Sequence, residues 1–174
     1  MNIIFIGYRG TGKSVLAGLL ADRLKRKLFS IDRMIVEAEG MPVPQIVCEK
    51  GWPHFREIES KMVEKACRDI QNGVIDCGGG VILNDQNPLH LKENGKIVLL
   101  TADIKTILKR IRNDANRPPL KEGGLSFEEE QKQILVEREP KYLAAADFIC
   151  DTSLNKPGQT VQEIFDHIKQ KGWI

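Results

Sequence analysis

A glycine-rich octapeptide, Gly7-Tyr8-Arg9-Gly10-Thr11-Gly12-Lys13-Ser14, lies between the apolar run Ile3-Ile4-Phe5-Ile6 and the helix-patterned stretch Val15-Leu16-Ala17-Gly18-Leu19-Leu20-Ala21. Strand, loop and helix in that order are the context in which a P-loop binds phosphate, and the required Gly, four free positions, Gly, Lys and Ser or Thr are all present. Glycines let successive backbone N–H groups point into one concavity, where they meet phosphate oxygens at the positive end of a helix. The backbone of Gly10, Thr11, Gly12, Lys13, Ser14 and Val15 is therefore the expected cradle for a nucleotide. Lys13 adds a full charge at the β- and γ-phosphates, and the Ser14 hydroxyl is a hard oxygen ligand suited to Mg²⁺. A Gly-rich turn before an ordinary helix would leave this ordered context unexplained.

At 174 residues the chain has a length for a single domain, 1–174, able to bury a core without disulfides or structural metal. Its 26 basic and 24 acidic residues are well mixed, so the net charge of +2 argues against a nucleic-acid or membrane surface. Phosphate recognition must be local. Cys48, Cys67, Cys77 and Cys150 are scattered with no Cys-x-x-Cys pair, and buried free thiols are the expectation. The sequence opens directly on a strand, and no run of ~18 apolar residues follows. A cytoplasmic protein is expected, acting on a small molecule as a monomer.

Strand-like segments Asn2–Ile6, Leu28–Ser30, Val74–Cys77, Lys96–Leu100 and Phe148–Cys150 alternate with stretches of helical period. That pattern predicts an α/β fold, a three-layer α/β/α sandwich around a five-stranded parallel sheet. Gly40, Gly51 and Gly73 punctuate helices over Asp32–Glu39, Pro44–Lys50 and about Pro53–Gln71. Ser126-Phe-Glu-Glu129 and Thr160-Val-Gln-Glu163 each match a capping box, predicting helices near Phe127–Glu137 and Val161–Lys171. The polar segment 113–126, with Pro118-Pro119 and Gly123-Gly124, is long for a loop in a small domain and suggests a lid over about 112–126. Arg117 is its conspicuous charge beside the prolines, on a functional flap or on a solvated surface loop.

A P-loop leaves open whether the γ-phosphoryl goes to water or to another acceptor. Asp32 follows the second strand, where a parallel sheet gathers ligands, yet Asp before Arg-Met-Ile-Val is equally a good helix N-cap. Arg56 and Glu59 lie three apart on one helical face, as a solvated ion pair or as a carboxylate-binding arginine steered by an acid. Gly78-Gly79-Gly80 ends the third strand, for close approach of a ligand to main-chain N–H groups or as a tight turn.

Taken in order, these elements resemble the shikimate kinase family of P-loop enzymes, related in fold to nucleoside monophosphate kinases. The resemblance spans nearly the whole chain and rests on the P-loop, Ile31-Asp32, Phe55-Arg56-x-x-Glu59, Gly78-Gly79-Gly80, Arg117-Pro118 and Arg138-x-Pro140-x-Tyr142. It implies transfer of a phosphoryl group from ATP, with Mg²⁺, to the 3-hydroxyl of shikimate, a step toward chorismate and the aromatic amino acids. It implies that Asp32 is the base at the reacting hydroxyl, that Lys13 and Arg117 stabilise the transferring group, and that Arg110 stacks near adenine. It places shikimate against Arg56, Gly78, Gly79, Gly80 and Arg138 in a region of about 32–60 and beyond, and a second adenine loop at Asn155-Lys156-Pro157. Guanidiniums suit that task because Arg grips a planar carboxylate in bidentate fashion and stays charged. One departure stands out: the family usually carries Asp-x-Asp where this chain has Ser30-Ile31-Asp32, and Asp76 stands on the strand leading to Gly78. Asp76 either takes over an outer role at Mg²⁺ or pairs locally. A gluconate or nucleotide kinase of the same architecture, or a non-catalytic ATP-binding relative, are the competing readings. A GTP switch would need Asn-Lys-x-Asp, and Asn155-Lys156-Pro157-Gly158 lacks the final acid.

Overall fold

The computed structural model describes residues 1–112 and 125–174, and the Arg117 assignment and most of the expected lid lie outside them. Five strands, β1 (Asn2–Gly7), β2 (Leu28–Ser30), β3 (Val74–Asp76), β4 (Gly95–Thr101) and β5 (Phe148–Asp151), form one sheet in the order β2-β3-β1-β4-β5. Every pairing is parallel. Each observed strand lies within a residue of its predicted span at either end.

Side chains alternate across a strand, so each strand feeds two cores. Ile4 and Ile6 of β1 point with Ile75, Ile97 and Leu99 into one cluster, closed by α2 (Ile31–Glu39), α3 (Val43–Asp69), α4 (Gln86–Asn94), α5 (Ile104–Ile111) and α6 (Phe127–Ala145). Ile3 and Phe5 point the other way with Val74, Val98 and Leu100, beneath α1 (Lys13–Leu24) and α7 (Pro157–Gln170). Burying each of these side chains contributes about 1.5–3 kcal/mol, and covering both faces is what lets β1 be apolar from Ile3 to Ile6. The predicted three layers are present.

Three local readings need correction. The capping box at Ser126 forms, with its hydroxyl accepting from the Glu129 N–H, but α6 runs on to Ala145 rather than stopping near Glu137. Pro140 removes one helix hydrogen bond, yet burial of Tyr142 and Ala145 against the sheet carries the helix through. The Thr160 box does not form. Pro157, at the first turn where its missing N–H costs nothing, starts α7 four residues early, and Thr160 donates back to the Lys156 carbonyl. Gly51 does separate two helical stretches within α3, at φ 81° and ψ 166°. Finally, Cys67, Cys77 and Cys150 are buried as expected, but Cys48 is exposed.

Candidate active site

The carboxyl ends of β1, β2 and β3 open on one cavity of about 440 Å³. Its wall carries the phosphate loop at one end and Asp32, Arg56, Gly78, Gly79, Gly80 and Arg138 toward the other.

At the phosphate end, Gly12 caps α1 with φ 91°, a left-handed conformation that a side chain would strain. Lys13 begins the helix, and its Nζ donates to the Tyr8 carbonyl at 3.0 Å. Ser14 donates to Asp76 Oδ2 at 2.6 Å, which joins the loop to the end of β3. Asp76 is only 7% exposed, and its Oδ1 has no hydrogen-bond partner among the described residues. Burial pushes its pKa up, opposed by the Lys13 charge and the Ser14 hydrogen bond. Arg110 reaches from α5 to the Gly10 carbonyl at 3.0 Å and to Thr152, also through the Thr152 carbonyl at 2.7 Å. Thr152 in turn donates to the Thr11 carbonyl at 3.0 Å, tying the loop to the end of β5. Thr11 is the one predicted loop residue, among those described, that is absent from the cavity wall; its hydroxyl turns inward to the Tyr8 carbonyl at 2.7 Å.

At the opposite end the two readings of Asp32 separate. Ser30 is the N-cap of α2 and accepts from the Arg33 N–H, so Asp32 sits in the first turn, on the cavity wall and not at the cap. The Arg56–Glu59 pair is no solvated ornament. Arg56 Nη1 donates to Glu59 Oε2 at 2.7 Å, and the Glu59 side chain is 1% exposed. Burial raises the Glu59 pKa, while the charges of Arg56 and Arg138 pull it down and that of Asp32 adds to the rise. The Arg56 guanidinium also lies over Trp52 and Phe55, 4.9 and 5.1 Å from their ring centroids. Such stacking fixes its plane. Arg138, carried inward by the unbroken α6, donates to the Gly79 carbonyl at 3.4 Å, and the Tyr142 hydroxyl bonds the same oxygen. Two guanidiniums, Arg56 and Arg138, thus stand beside the open space, with Glu59 buried behind Arg56 and Asp32 on the cavity wall.

The glycine triplet has a reason that neither sequence reading contained. A Cβ on Gly78 would stand 2.7 Å from Asp32 Oδ1 and 2.9 Å from Glu59 Oε1, and one on Gly80 would overlap the Arg56 guanidinium. The bare backbone makes room for the protein's own charged side chains, and none of the three has a positive φ. Sequence reasoning also passed over Tyr8, Gln131 and Thr152, all buried. Gln131 shares the three-and-four spacing of Ile134, Tyr142 and Ala145 on α6, a signal that could have marked it as inward-facing.

Comparison with known proteins places this geometry. The family model described as shikimate kinase matches residues 9–169. A shikimate kinase from Pelotomaculum thermopropionicum is 39% identical over 173 residues, covering 99% of this chain and 98% of the relative. One from Sulfurihydrogenibium sp. is 36% identical over 170 residues, covering 98% and 99%. The solved structure of shikimate kinase from Acinetobacter baumannii in complex with shikimate superposes with a TM-score of 0.91 at 28% identity, covering 98% of this chain and 93% of that one. With the model spanning most of the chain and relatives matching end to end, this protein belongs to the shikimate kinase family.

Proposed function

We infer that the protein transfers the γ-phosphoryl group of ATP to the 3-hydroxyl of shikimate, giving shikimate 3-phosphate and ADP. The observation that carries this is the single cavity with a phosphate cradle at one end and, around Asp32 at the other, two arginines against one buried acid. A gluconate or nucleotide acceptor is the competing substrate. A coupled assay for ADP formation, run with shikimate, gluconate and nucleoside monophosphates, tests the reading; ADP release indifferent to shikimate would overturn it.

The backbone N–H groups of Gly10 to Val15 would wrap the phosphates at the positive end of α1, with Lys13 leaving the Tyr8 carbonyl for a phosphate oxygen. Arg56 and Arg138 would clamp the carboxylate of the acceptor, which leaves its hydroxyl facing Asp32. Asp32 orients that hydroxyl and accepts its proton late, in a loose transition state where positioning contributes most. Arg117, outside the described residues, is assigned to the transferring group, and Arg110 to the adenine side. Closure of the 112–126 segment would exclude water and limit futile hydrolysis. Arg117→Ala should therefore slow turnover with only a modest loss of affinity.

The residues around Ser14 fit Mg²⁺: a hydroxyl and a buried carboxylate oxygen lacking a partner among the described residues are hard donors. When bound, Mg²⁺ supplies charge neutralisation across the β- and γ-phosphates. Ser14 would hold it directly, and Asp76 would hold Ser14 and an outer water. Calorimetry with ADP at rising Mg²⁺ checks this, since Asp76→Asn should weaken the Mg²⁺ enhancement of ADP binding and leave shikimate binding unaltered. Three buried thiols, with Cys150 pushed up to about 12 by burial, suit a reducing cytoplasm. A monomer is the form proposed.

A further inference from the structure

We propose that Tyr8 and Gln131 form a positioning link between the phosphate loop and the helix that carries Arg138, so that nucleotide occupancy sets the affinity for shikimate; this rests on the kinase reading above. The Tyr8 hydroxyl donates to Gln131 Oε1 at 2.7 Å across 123 residues of sequence. Tyr8 is 2% exposed and Gln131 is fully buried, so the bond is shielded from water. The Gln131 amide donates in turn to Glu130 Oε2 at 2.8 Å, which fits its oxygen facing Tyr8.

Tyr8 contacts residues from both ends of the cavity, Lys13 and Arg138. Its carbonyl receives the Lys13 ammonium at 3.0 Å and the Thr11 hydroxyl at 2.7 Å. Its ring lies under the Arg138 guanidinium, with 6.0 Å between Cζ and the ring centroid. Arg138 follows Gln131 by two helical turns, on the same face of α6. When Lys13 turns from the Tyr8 carbonyl to a phosphate oxygen, the Tyr8 peptide loses its charged donor, keeps the Thr11 hydroxyl and readjusts. The side chain of the same residue then carries that readjustment to Gln131 and to the underside of Arg138. A buried hydrogen bond is suited to this because it has two discrete states, made or broken, with a large penalty for leaving either partner unpaired.

The test is calorimetric titration of shikimate into the protein with and without saturating Mg·ADP. The unaltered protein should bind shikimate at least ~5-fold more tightly with nucleotide present, and ADP affinity should rise by the same factor with shikimate present, as linkage requires. Tyr8→Phe keeps the ring and deletes the hydroxyl; Gln131→Leu deletes the acceptor. Each should bring the factor to within ~2-fold of unity while shikimate affinity in the nucleotide-free state changes less than ~3-fold. Combining the two should restore much of the melting temperature lost by the singles, since no buried polar group is then left alone, but should not restore the coupling. Coupling retained in Tyr8→Phe, recovered in the double variant, or absent from the unaltered protein would overturn the link. So would single variants that weaken shikimate equally in both states, the mark of a structural role. Failure of the unaltered protein to bind shikimate in either state would instead refute the substrate reading.

Discussion

The two ends of the cavity are built from different materials. The phosphate end is mostly backbone: a glycine-rich turn, the start of α1 and one lysine, contributed by eight consecutive residues. The acceptor end is side chains from α2, α3 and α6 leaning over the end of β3, residues separated by as many as 106 positions between Asp32 and Arg138. A backbone site needs only a correct local turn, whereas a side-chain site needs the whole sheet to be folded first. The acceptor end should therefore be the more easily damaged from a distance, and the more easily retuned.

The largest effect should come from the phosphate end. Lys13→Met removes the only lysine on the cavity wall among the described residues and should lower kcat by about 10²–10³-fold, measured by ADP release, with shikimate affinity in the absence of nucleotide nearly unchanged. Next come Arg56→Ala and Arg138→Ala. Each should weaken shikimate binding by about 10–100-fold, the equivalent of a lost charge-assisted hydrogen bond of ~1.5–3 kcal/mol, while Mg·ADP affinity moves less than ~2-fold in calorimetry. Equal damage to both ligands would break the contrast. Gly80→Ala is subtler: its methyl group would press on the Arg56 guanidinium and should raise the shikimate KM by about 5–10-fold without altering the KM for ATP. An unaffected shikimate KM would mean that Arg56 has room to move.

The smallest effect concerns stability. Burial raises the Glu59 pKa above its ordinary value of 4.5, against the pull of Arg56. A carboxyl raised on folding contributes stability that is fully present below its ordinary value and is lost as pH climbs through the folded value. Glutamine does not titrate. The melting temperature of the native protein relative to Glu59→Gln should thus decline by a few degrees between about pH 4 and neutrality. A flat difference would show that the arginine pair cancels the effect of burial.

The same division explains what the sequence made legible. The P-loop could be read because its chemistry is contiguous and its flanks declare strand and helix. The sheet could be read because Ile3-Ile4-Phe5-Ile6 has no polar face, which only a strand covered on both sides tolerates. Arg56 and Glu59, by contrast, have the spacing of any surface ion pair, and only the tertiary fold buries the acid and sets the guanidinium over Trp52 and Phe55. Asp32 could not be assigned while it was itself a good cap candidate; the folded backbone gives the cap to Ser30 instead. The run of α6 through Pro140 was hidden because local propensity stops there and tertiary burial does not. Resemblance to a family named the acceptor arginines, but the reason for the Gly78–Gly80 triplet became visible only when Asp32, Glu59 and Arg56 were seen crowding against it.

Ser30 and Asp76 are paired across β2 and β3 in register, so their side chains stand beside each other on the same face. An aspartate at 30 would set two carboxylates shoulder to shoulder, and like charges so placed repel. Building Asp-x-Asp here is therefore not one substitution but two: position 76 must first give up its acid, and with it the anchor of the Ser14 hydroxyl. An engineer who places Asp-x-Asp at the end of this strand should change both positions together.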